Sequence, residues 1–522
     1  MKASAARLHG AEADPVTQET AQRITAEVEA SVPPGVPLCV DLDGTLVKSD
    51  TLLDTVVVLA RQNPRALLSF PKWVAEGKAA FKRRVTELAE IDVVHLPYNQ
   101  PLLEYLTQQH GEGREIYLAT GADTLLAERV AAYLGIFHGV LASDGSTNLT
   151  GRNKLAAFQQ RFPDGFCYIG NAKPDVPLLT HCVHPMVANP HARLRAGMRS
   201  AGIVPVRTFH DAAVPWKAWL RAIRLHQWAK NVLIFLPVLL AHVRVAGPMA
   251  AAFMAFLSFG LAASATYIVN DLLDLEADRH HPRKRRRPFA SGDLSPIAGI
   301  GTALMFGCAS VAIALLIPVA VARISPQFAL AEPYSFLEWL VLYAIATTAY
   351  SLRLKRSVLV DVITLSGLYT VRILAGSAAT GVLISPWLAA FSIFFFLSLA
   401  FVKRFSELEG MRQRLGDAGA EQIKGRGYRI SDLEQLRSFG TSSGYASVVV
   451  FSLYIGNEVA HGLYAHYMRL WLLVPVLLLW LSRLWLKASR NELHEDPVIY
   501  AISDPKSLLL GVVVALIVLS AL

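Results

Sequence analysis

The uneven distribution of apolar residues restricts the fold of this chain more than any other feature. Residues 1–215 have the mixed composition of a soluble region, whereas residues 230–522 carry one long apolar segment after another. A membrane helix needs about 17–25 mostly apolar residues. We predict nine spans, of which the first is short, at about 231–246, 248–269, 297–322, 335–352, 358–380, 385–402, 443–460, 470–486 and 506–522. The sequence therefore predicts a soluble region followed by an all-α bundle of nine membrane spans.

Basic residues are concentrated in alternate loops of this bundle. The cluster from Arg283 to Arg287 and the stretch from Lys403 through Arg437 contrast with loops that carry only Arg244, Arg323 or Arg469. Positive loops mark the cytoplasmic side of a membrane, so we expect the soluble region in the cytoplasm and the C-terminus outside. Orientation and phosphate binding explain the net charge of +9, and no nucleic-acid partner is expected.

Three regions follow from these patterns. We predict an N-terminal extension over residues 1–35, a soluble domain over 36–210 and a membrane domain over 211–522. The N-terminus lacks the apolar core of a secretory signal. The cysteines lack the spacing of a zinc site or a disulfide framework; they are Cys39, Cys167, Cys182 and Cys308.

Polar residues follow three apolar runs in the soluble region. The run PLCVDLDGT ends in Asp41 and Asp43, which a buried strand would deliver to the same tip. One carboxylate can attack a phosphoryl group while the other transfers the proton. The later elements are Thr120 at the end of EIYLAT, Lys154, and Asn171 with Asp175 at the end of GFCYIGNAKPD.

This ordered set resembles the haloacid dehalogenase (HAD) superfamily over roughly residues 36–190. The resemblance implies a doubly wound α/β core with a helical cap at about 47–115. It implies the following roles: Asp41 as a nucleophile that forms an aspartyl-phosphate, Asp43 as general acid/base, Thr120 and Lys154 as phosphate holders, and Asp41, Asp43, Asn171 and Asp175 as Mg²⁺ ligands. The superfamily usually has an acidic residue in place of Asn171, so we expect weaker Mg²⁺ binding. A domain that keeps the fold with degraded activity is the alternative.

An acidic cluster ends the second predicted span, in YIVNDLLDLEADRHHPRKRRRP. A continuous helix would present four residues of this cluster on one face, namely Asn270, Asp271, Asp274 and Asp278. Carboxylates at the end of a membrane helix are costly to desolvate. Mg²⁺ takes oxygen ligands and commonly shares them with substrate phosphates. The cluster therefore predicts a magnesium site, with Arg287 and its basic neighbours available to neutralise phosphate charge.

The pattern NDxxDxxxD resembles the first aspartate-rich motif of the UbiA prenyltransferase superfamily, whose fold has nine spans. The second such motif is replaced here by AFVKRFSELEGMR. RLHQWAKNVLIFLP, YSLRLKR and GRGYRISDLE are similar to the decaprenyl-phosphate phosphoribosyltransferase branch, over most of residues 221–460. The resemblance implies Mg²⁺ on Asp271, Asp274 and Asp278, and substrate contacts from Lys230, Asn270, Arg287, Tyr350, Lys355, Lys403, Arg404, Glu407 and Tyr428.

That branch transfers 5-phosphoribose from phosphoribosyl diphosphate to a polyprenyl phosphate in the bacterial inner membrane. The resemblance implies an isoprenoid lipid phosphate and a diphosphate donor as substrates. Because the transferred ribose still carries its 5-phosphate, we hypothesise that the cytoplasmic HAD domain removes this phosphate from the product. Two other functions stay open at this point. One is a UbiA prenyltransferase that joins a prenyl diphosphate to an aromatic ring. The other is a transporter or lipid-binding module with a regulatory HAD domain.

Overall fold

A computed structural model describes residues 35–328, 330–415, 427–493 and 497–522. The predicted N-terminal extension lies outside the described residues except for Gly35. Contacts divide the chain into two compact units, residues 1–222 with 271–300 and residues 223–270 with 301–522. The acidic cluster from Asp271 onward therefore belongs to the same compact unit as the soluble region.

The first unit contains a six-stranded, fully parallel sheet. Its strands are β1 (Leu38–Val40), β2 (Ile116–Asp123), β3 (Gly139–Ser143), β4 (Cys167–Gly170), β5 (Pro185–Ala188) and β6 (Arg207–Phe209), in the order β3-β2-β1-β4-β5-β6. Its helices and 3-10 turns are Thr51–Gln62, Pro64–Ser69, Phe70–Ala75, Lys78–Leu88, Gln100–Gly111, Thr124–Leu134, Arg152–Arg161, Lys173–Asp175, Val176–His181, Ala192–Ser200, Pro215–Ile223, Leu275–His280 and Lys284–Arg286. The predicted α/β domain with a parallel sheet is confirmed.

Both faces of this sheet are covered by side chains from helices. Leu38 and Val40 of β1 belong to the same buried cluster as Leu59, whereas Cys39 packs in a second cluster with Phe158. This alternation arises because successive side chains of a strand point to opposite faces. The strand order reverses at β1, which pairs with both β2 and β4. Ligand sites of open parallel sheets lie at the carboxyl ends of the strands at such a reversal.

The helix after β1 begins at a side-chain cap. The carboxylate of Asp50 accepts a hydrogen bond from the N–H of Leu53 at 3.1 Å, which satisfies one of the free donors at the start of helix Thr51–Gln62. The segment between β1 and this helix turns at Gly44, whose φ is +73°. Glycine adopts this left-handed conformation without the steric cost that a side chain imposes. The turn and the cap fix the path of the residues that follow Asp41.

The second unit is helical, and six helices in the described residues are long and apolar enough to cross a membrane. These are Ala246–Leu273, Pro296–Ile324, Ser335–Leu352, Val360–Thr380, Pro386–Gln413 and Tyr467–Ser489. The fifth extends to Leu415, and the sixth comprises the 3-10 turn Tyr467–Leu472 and helix Leu473–Ser489. The other elements are Leu225–Phe235, Leu236–Leu240, Leu354–Arg356, Ile430–Asp432, Leu433–Ile455, Glu458–Leu463, Pro497–Ser503 and Pro505–Ala521. The prediction of an integral membrane protein with several spans is confirmed.

Nine spans are not confirmed, and the first expected span is not one continuous helix. Residues 231–246 comprise the end of the 3-10 segment Leu225–Phe235, the short helix Leu236–Leu240 and a turn. His242 in this turn has a φ of +54°, which a right-handed helix excludes. The composition of this stretch is apolar enough for a span, but its backbone is interrupted.

Two further expected spans are not among these six helices. The stretch 443–460 overlaps helix Leu433–Ile455, which is not among the six because it carries many Ser, Thr, Gly and charged residues. The stretch 506–522 corresponds to Pro505–Ala521, a helix of 17 residues. Hydropathy counts apolar residues in a window, whereas helix length depends on where caps and breaks fall.

Candidate active sites

The first candidate site lies at the carboxyl ends of β1 and β4, which are adjacent strands. Asp41 directly follows β1, and Asn171 directly follows β4. A cavity of about 620 Å³ opens here. Its wall includes five of the predicted residues, Asp41, Asp43, Lys154, Asn171 and Asp175. The geometry therefore brings together groups that are separated by more than a hundred positions in the sequence.

Asp41 and Asp43 differ in their immediate partners. The Nζ of Lys154 donates to Oδ1 of Asp41 at 2.7 Å, whereas Oδ1 of Asp43 accepts from the backbone N–H of Thr51, also at 2.7 Å. Burial raises the pKa of Asp41 to about 6, against the opposing effect of Lys154. Burial raises the pKa of Asp43 to about 7, and the negative charge of Asp50 adds to this effect. A carboxyl group that titrates near neutrality is suited to general acid/base work.

A buried relay holds Lys154 and the segment after β4. Lys154 Nζ donates to the hydroxyl of Tyr168 at 2.9 Å, and this hydroxyl donates to Oδ1 of Asp175 at 2.9 Å. The other oxygen of Asp175 accepts from the backbone N–H groups of Asn171 and Ala172, at 3.1 and 2.9 Å. The sequence analysis missed Tyr168, because an aromatic residue inside a buried strand is ordinarily a core residue.

Thr120 is buried beside the cavity, although it is not part of the described wall. Its hydroxyl oxygen accepts from the N–H of Ala122 at 3.0 Å. The wall includes Gly121 instead, together with Lys82, which the sequence analysis did not single out. The Nζ of Lys82 donates to the carbonyl of Gly121 at 2.5 Å and to Asn148 at 2.7 Å. Lys82 therefore brings a further cationic side chain, from helix Lys78–Leu88, to this cavity.

Asn171 packs directly against the turn at Gly44. A Cβ at position 44 would lie 1.9 Å from Nδ2 of Asn171, which is far inside van der Waals contact. The absence of a side chain on Gly44 is thus required for the amide of Asn171 to occupy its present position at the cavity. The carboxylates and this amide oxygen form a set of oxygen ligands that fits Mg²⁺.

For the phosphomonoesterase activity that the HAD resemblance implies, Asn171→Asp is expected to lower the Mg²⁺ concentration for half-maximal activity by about tenfold or more, because a full negative charge attracts the cation more strongly than an amide oxygen. The measurement is hydrolysis of a small phosphomonoester at increasing Mg²⁺. Asn63→Asp, the same substitution at an exposed position, is the control and should follow the wild-type curve. Superimposable curves for Asn171→Asp and the wild type would contradict the placement of Asn171 at a metal.

The second candidate site is the acidic cluster of the first unit. Nη1 of Arg287 lies 3.0 Å from Oδ1 of Asp271 and 2.7 Å from Oδ2 of Asp278. Both carboxylates are almost fully buried, and burial raises the pKa of Asp278 although Arg287 lowers it. Two buried carboxylates directed at one point form a hard-oxygen donor set, so these residues fit a magnesium ion.

The four residues of the NDxxDxxxD motif do not lie on one continuous helix, contrary to the sequence analysis. Helix Ala246–Leu273 ends before Asp274, and helix Leu275–His280 begins after it. Nη1 of Arg61 lies 3.4 Å from Oδ1 of Asp274 and donates to the carbonyl of Leu273 at 3.0 Å. The helix breaks here, and its terminal carbonyl is satisfied by an arginine of the α/β domain.

The third candidate site is a cavity of about 250 Å³ inside the second unit. Four predicted substrate-binding residues line it, namely Lys230, Asn270, Tyr350 and Lys403. The described wall contains no carboxylate, and it includes one more cation that the sequence analysis missed, Arg372. The cavity therefore has the charge expected for an anionic ligand.

Arg372 lies in the middle of helix Val360–Thr380 and is almost fully buried. Its Nε donates to Oδ1 of Asn231 at 2.9 Å, and Nη2 donates to the hydroxyl of Tyr343 at 3.2 Å. An ionisable residue inside a membrane helix is costly and usually functional. The available signal was this single arginine within an otherwise apolar span.

Arg404, by contrast, lies outside the described cavity wall and is fully buried. It donates from Nε to Asp361 at 2.5 Å, from Nη1 to Glu407 at 2.6 Å and from Nη2 to the hydroxyl of Tyr350 at 2.8 Å. Tyr428 donates to the other oxygen of Asp361 at 2.5 Å. Arg404, Glu407 and Tyr428 thus form a network whose link to the cavity is Tyr350. Lys355 lies in the turn Leu354–Arg356 and is not part of the described wall.

The six apolar helices define an integral membrane protein, and its helical unit contains a cavity lined by cationic side chains. A model described as the UbiA prenyltransferase family matches residues 231–501. This match covers more than half of the chain, which belongs to the UbiA prenyltransferase family of membrane transferases.

Several relatives share longer or shorter parts of the chain. An uncharacterized protein from Sinorhizobium fredii is 37% identical over 489 residues, which are 92% of this chain and 90% of that protein. The nodulation protein NoeC from Azorhizobium caulinodans is 35% identical over 59% of this chain and 95% of its own length. Decaprenyl-phosphate phosphoribosyltransferase from Mycobacterium tuberculosis is 35% identical over 38% of this chain and 62% of its own length.

Proposed function

We propose that the second unit, with the acidic cluster, transfers 5-phosphoribose from phosphoribosyl diphosphate to a polyprenyl phosphate. The observation that carries this proposal is a cavity lined by Lys230, Arg372 and Lys403 with no carboxylate in its described wall. A prenyl diphosphate carries its charge at one end of an apolar chain. Phosphoribosyl diphosphate carries a diphosphate and a separate monophosphate, and the lipid acceptor adds a third phosphate group. Several cations are required to compensate this charge. The similarity to decaprenyl-phosphate phosphoribosyltransferases also supports phosphoribosyl diphosphate as the donor.

In the proposed transfer, an oxygen of the lipid phosphate bonds to C1 of the ribose while the bond from C1 to the diphosphate breaks. Asp271 and Asp278 would hold the Mg²⁺, which when bound would stabilise negative charge on the leaving diphosphate. Lys403 and Lys230 hold phosphate oxygens, and Arg404 positions Tyr350 through their hydrogen bond. No group needs to accept a proton from an ionised lipid phosphate, so orientation and charge stabilisation suffice for this step.

We further propose that the α/β domain is a HAD-type phosphatase that removes the 5-phosphate from the transferred ribose. A carboxylate oxygen of Asp41 attacks phosphorus, Asp43 protonates the departing ribose oxygen, and Lys154 neutralises charge on the phosphoryl group. Asp43 then takes a proton from the water that hydrolyses the aspartyl-phosphate. Loss of the 5-phosphate makes the preceding transfer harder to reverse, and tethering gives the phosphatase a high effective concentration. The basic loops favour the cytoplasmic side of the bacterial inner membrane for this domain.

The experiment that tests the transfer supplies membranes containing the protein with a polyprenyl phosphate and one labelled donor at a time. We expect phosphoribosyl diphosphate to be consumed, with label in the lipid and release of diphosphate. The competing donor is a prenyl diphosphate offered with an aromatic acid. If the prenyl diphosphate is consumed and phosphoribosyl diphosphate stays intact, the proposal is wrong and the protein transfers a prenyl group to an aromatic acceptor.

Lys403→Ala is expected to lower kcat/KM for phosphoribosyl diphosphate roughly 10- to 100-fold, since a charge-assisted hydrogen bond to phosphate contributes about 1.5–3 kcal/mol. Initial rates at varied donor concentration provide the measurement. Lys506→Ala removes the same charge from an exposed position outside the described cavity wall and should retain the wild-type value. Equal kcat/KM for Lys403→Ala and Lys506→Ala would show that Lys403 does not bind the donor.

A further inference from the structure

Two histidines and one aspartate converge outside the candidate active sites. Asp92 and His95 lie in the loop before helix Gln100–Gly111, and His280 ends helix Leu275–His280. Nδ1 of His95 is 2.6 Å from Oδ2 of Asp92, and Nε2 of His280 is 2.7 Å from the same oxygen. The three potential ligand atoms lie within 4.8 Å of one another. All three residues belong to the first compact unit.

The local backbone directs the carboxylate of Asp92 towards both imidazoles. The N–H of Val94 donates to Oδ1 of Asp92 at 2.8 Å, which closes a turn and leaves Oδ2 for the two rings. One carboxylate oxygen and two imidazole nitrogens therefore meet at this point.

We propose that Asp92, His95 and His280 form a binding site for a transition-metal dication, with Zn²⁺ as the expected occupant. Neutral imidazole and carboxylate are preferred ligands of Zn²⁺, and three protein ligands with an open fourth position are a common arrangement. Imidazole does not suit Mg²⁺, so this site differs in chemistry from the acidic cluster and from the phosphatase cavity.

Only small movements separate the present geometry from metal coordination. Zinc-to-ligand distances of about 2.0–2.1 Å in a tetrahedron place the ligand atoms about 3.3 Å apart. The two distances to Asp92 Oδ2 are shorter than this by less than 1 Å. The side chains of His95 and His280 are 42% and 46% exposed, so solvent reaches both rings. Nδ1 of His280 lies 2.8 Å from the carbonyl oxygen of Glu276, which leaves Nε2 for the metal. Solvent can occupy the remaining coordination position.

Occupancy of this site would link the loop of the α/β domain to the helix that contains Asp278. Helix Leu275–His280 has only six residues, so fixing His280 also fixes the orientation of its first turn. A bound metal ion would restrain Asp278 without touching it. This consequence concerns only the first unit and does not depend on the reaction proposed for the second.

The test uses the purified full-length protein after removal of metal ions by a chelator, with excess Mg²⁺ present to occupy sites made of oxygen ligands. Zn²⁺ or Co²⁺ is added, and the bound equivalents are counted by equilibrium dialysis and metal analysis. The wild type should bind one equivalent more than His95→Asn or His280→Asn. Zn²⁺ should also raise the thermal midpoint of the wild type but not of these variants.

Two further variants separate loss of a ligand from loss of structure. His280→Cys supplies a thiolate, so it should retain the equivalent and give a sulfur-to-cobalt charge-transfer band with Co²⁺. His110→Asn removes an exposed imidazole outside the cluster and should bind like the wild type. The proposal is overturned if the wild type, His95→Asn and His280→Asn bind the same number of equivalents. It is also overturned if His280→Cys gives no charge-transfer band. The cluster would then be a pair of His–Asp ion pairs only.

Discussion

Asp41→Asn is expected to abolish phosphomonoester hydrolysis, with a rate loss on the order of 10⁴-fold or more, while the transfer of phosphoribose continues. An amide oxygen cannot replace the carboxylate that attacks phosphorus. The substitution keeps the shape of the side chain and removes the charge that Lys154 Nζ contacts at 2.7 Å. The consequence is accumulation of the lipid that still carries its 5-phosphate.

Two measurements on the same preparations make this prediction specific. Hydrolysis of a small phosphomonoester reports on the α/β domain alone, and mass analysis of the lipid product reports on the coupling of the two reactions. Asp164→Asn, at an exposed position of the same domain, should match the wild type in both. If Asp41→Asn loses phosphomonoester hydrolysis but yields the wild-type lipid, the domain acts on another substrate. If the wild type itself hydrolyses neither compound, the phosphatase proposal is wrong while the transfer proposal stands.

Arg404→Ala is expected to lower the stability of the second unit by about 3–5 kcal/mol, since it removes the cation that is paired with a buried carboxylate. Arg404 and Asp361 are both fully buried and are joined at 2.5 Å. The substitution also removes the hydrogen bond to Tyr350, so donor binding should weaken in the protein that remains folded. The thermal midpoint in detergent and the KM for the donor measure these two effects.

A double substitution tests whether the buried charge is the cause. Arg404→Leu combined with Asp361→Leu removes both charges, and it should recover most of the lost thermal stability because apolar residues replace a buried pair at little cost. Glu434→Ala breaks an ion pair with Arg437 at a side chain that is 79% exposed, and it should cost about 1 kcal/mol or less. A double variant no more stable than Arg404→Ala would show that packing around Arg404, and not the charge of Asp361, determines the loss.

Two of the metal sites proposed for the first unit predict different selectivity. The acidic cluster presents carboxylate oxygens only, whereas Asp92, His95 and His280 present one oxygen and two nitrogens. Hard cations prefer the first set, and imidazole-binding transition metals prefer the second. Measurements of activity with Mg²⁺ alone and with added Zn²⁺ therefore address separate sites in one protein.

The local sequence predicted those parts of the site that depend on one segment at a time. The apolar run before Asp41 predicted a buried strand that ends in carboxylates, because strand burial and the position of a strand tip are set by neighbouring residues. The resemblance carried by Lys230, Tyr350 and Lys403 predicted cavity residues, and all three line the cavity of the second unit. Roles for these residues in catalysis stay predictions until the variants are measured.

Backbone continuity could not be predicted from the same patterns. Residues 231–246 are apolar enough for a span, yet the turn at His242 interrupts them. The spacing of Asp271, Asp274 and Asp278 fits one helical face, yet the helix breaks at Asp274. Periodicity describes which face a residue would occupy if a helix continued, whereas the end of a helix depends on which groups satisfy its terminal carbonyls.

The sequence by itself determined the two classes of domain, the strand-end carboxylates and most of the membrane helices, because hydropathy and strand or helix period are properties of contiguous residues. Only the tertiary structure joined Arg404 to Asp361, Lys154 to Tyr168, and Arg279 to Asp54, a pair separated by 225 positions. Burial of a charge demands a compensating partner, but any distant residue of the right chemistry can provide it. The partner is determined by the fold, which brings two distant segments together, so the sequence of either segment alone does not predict the pairing.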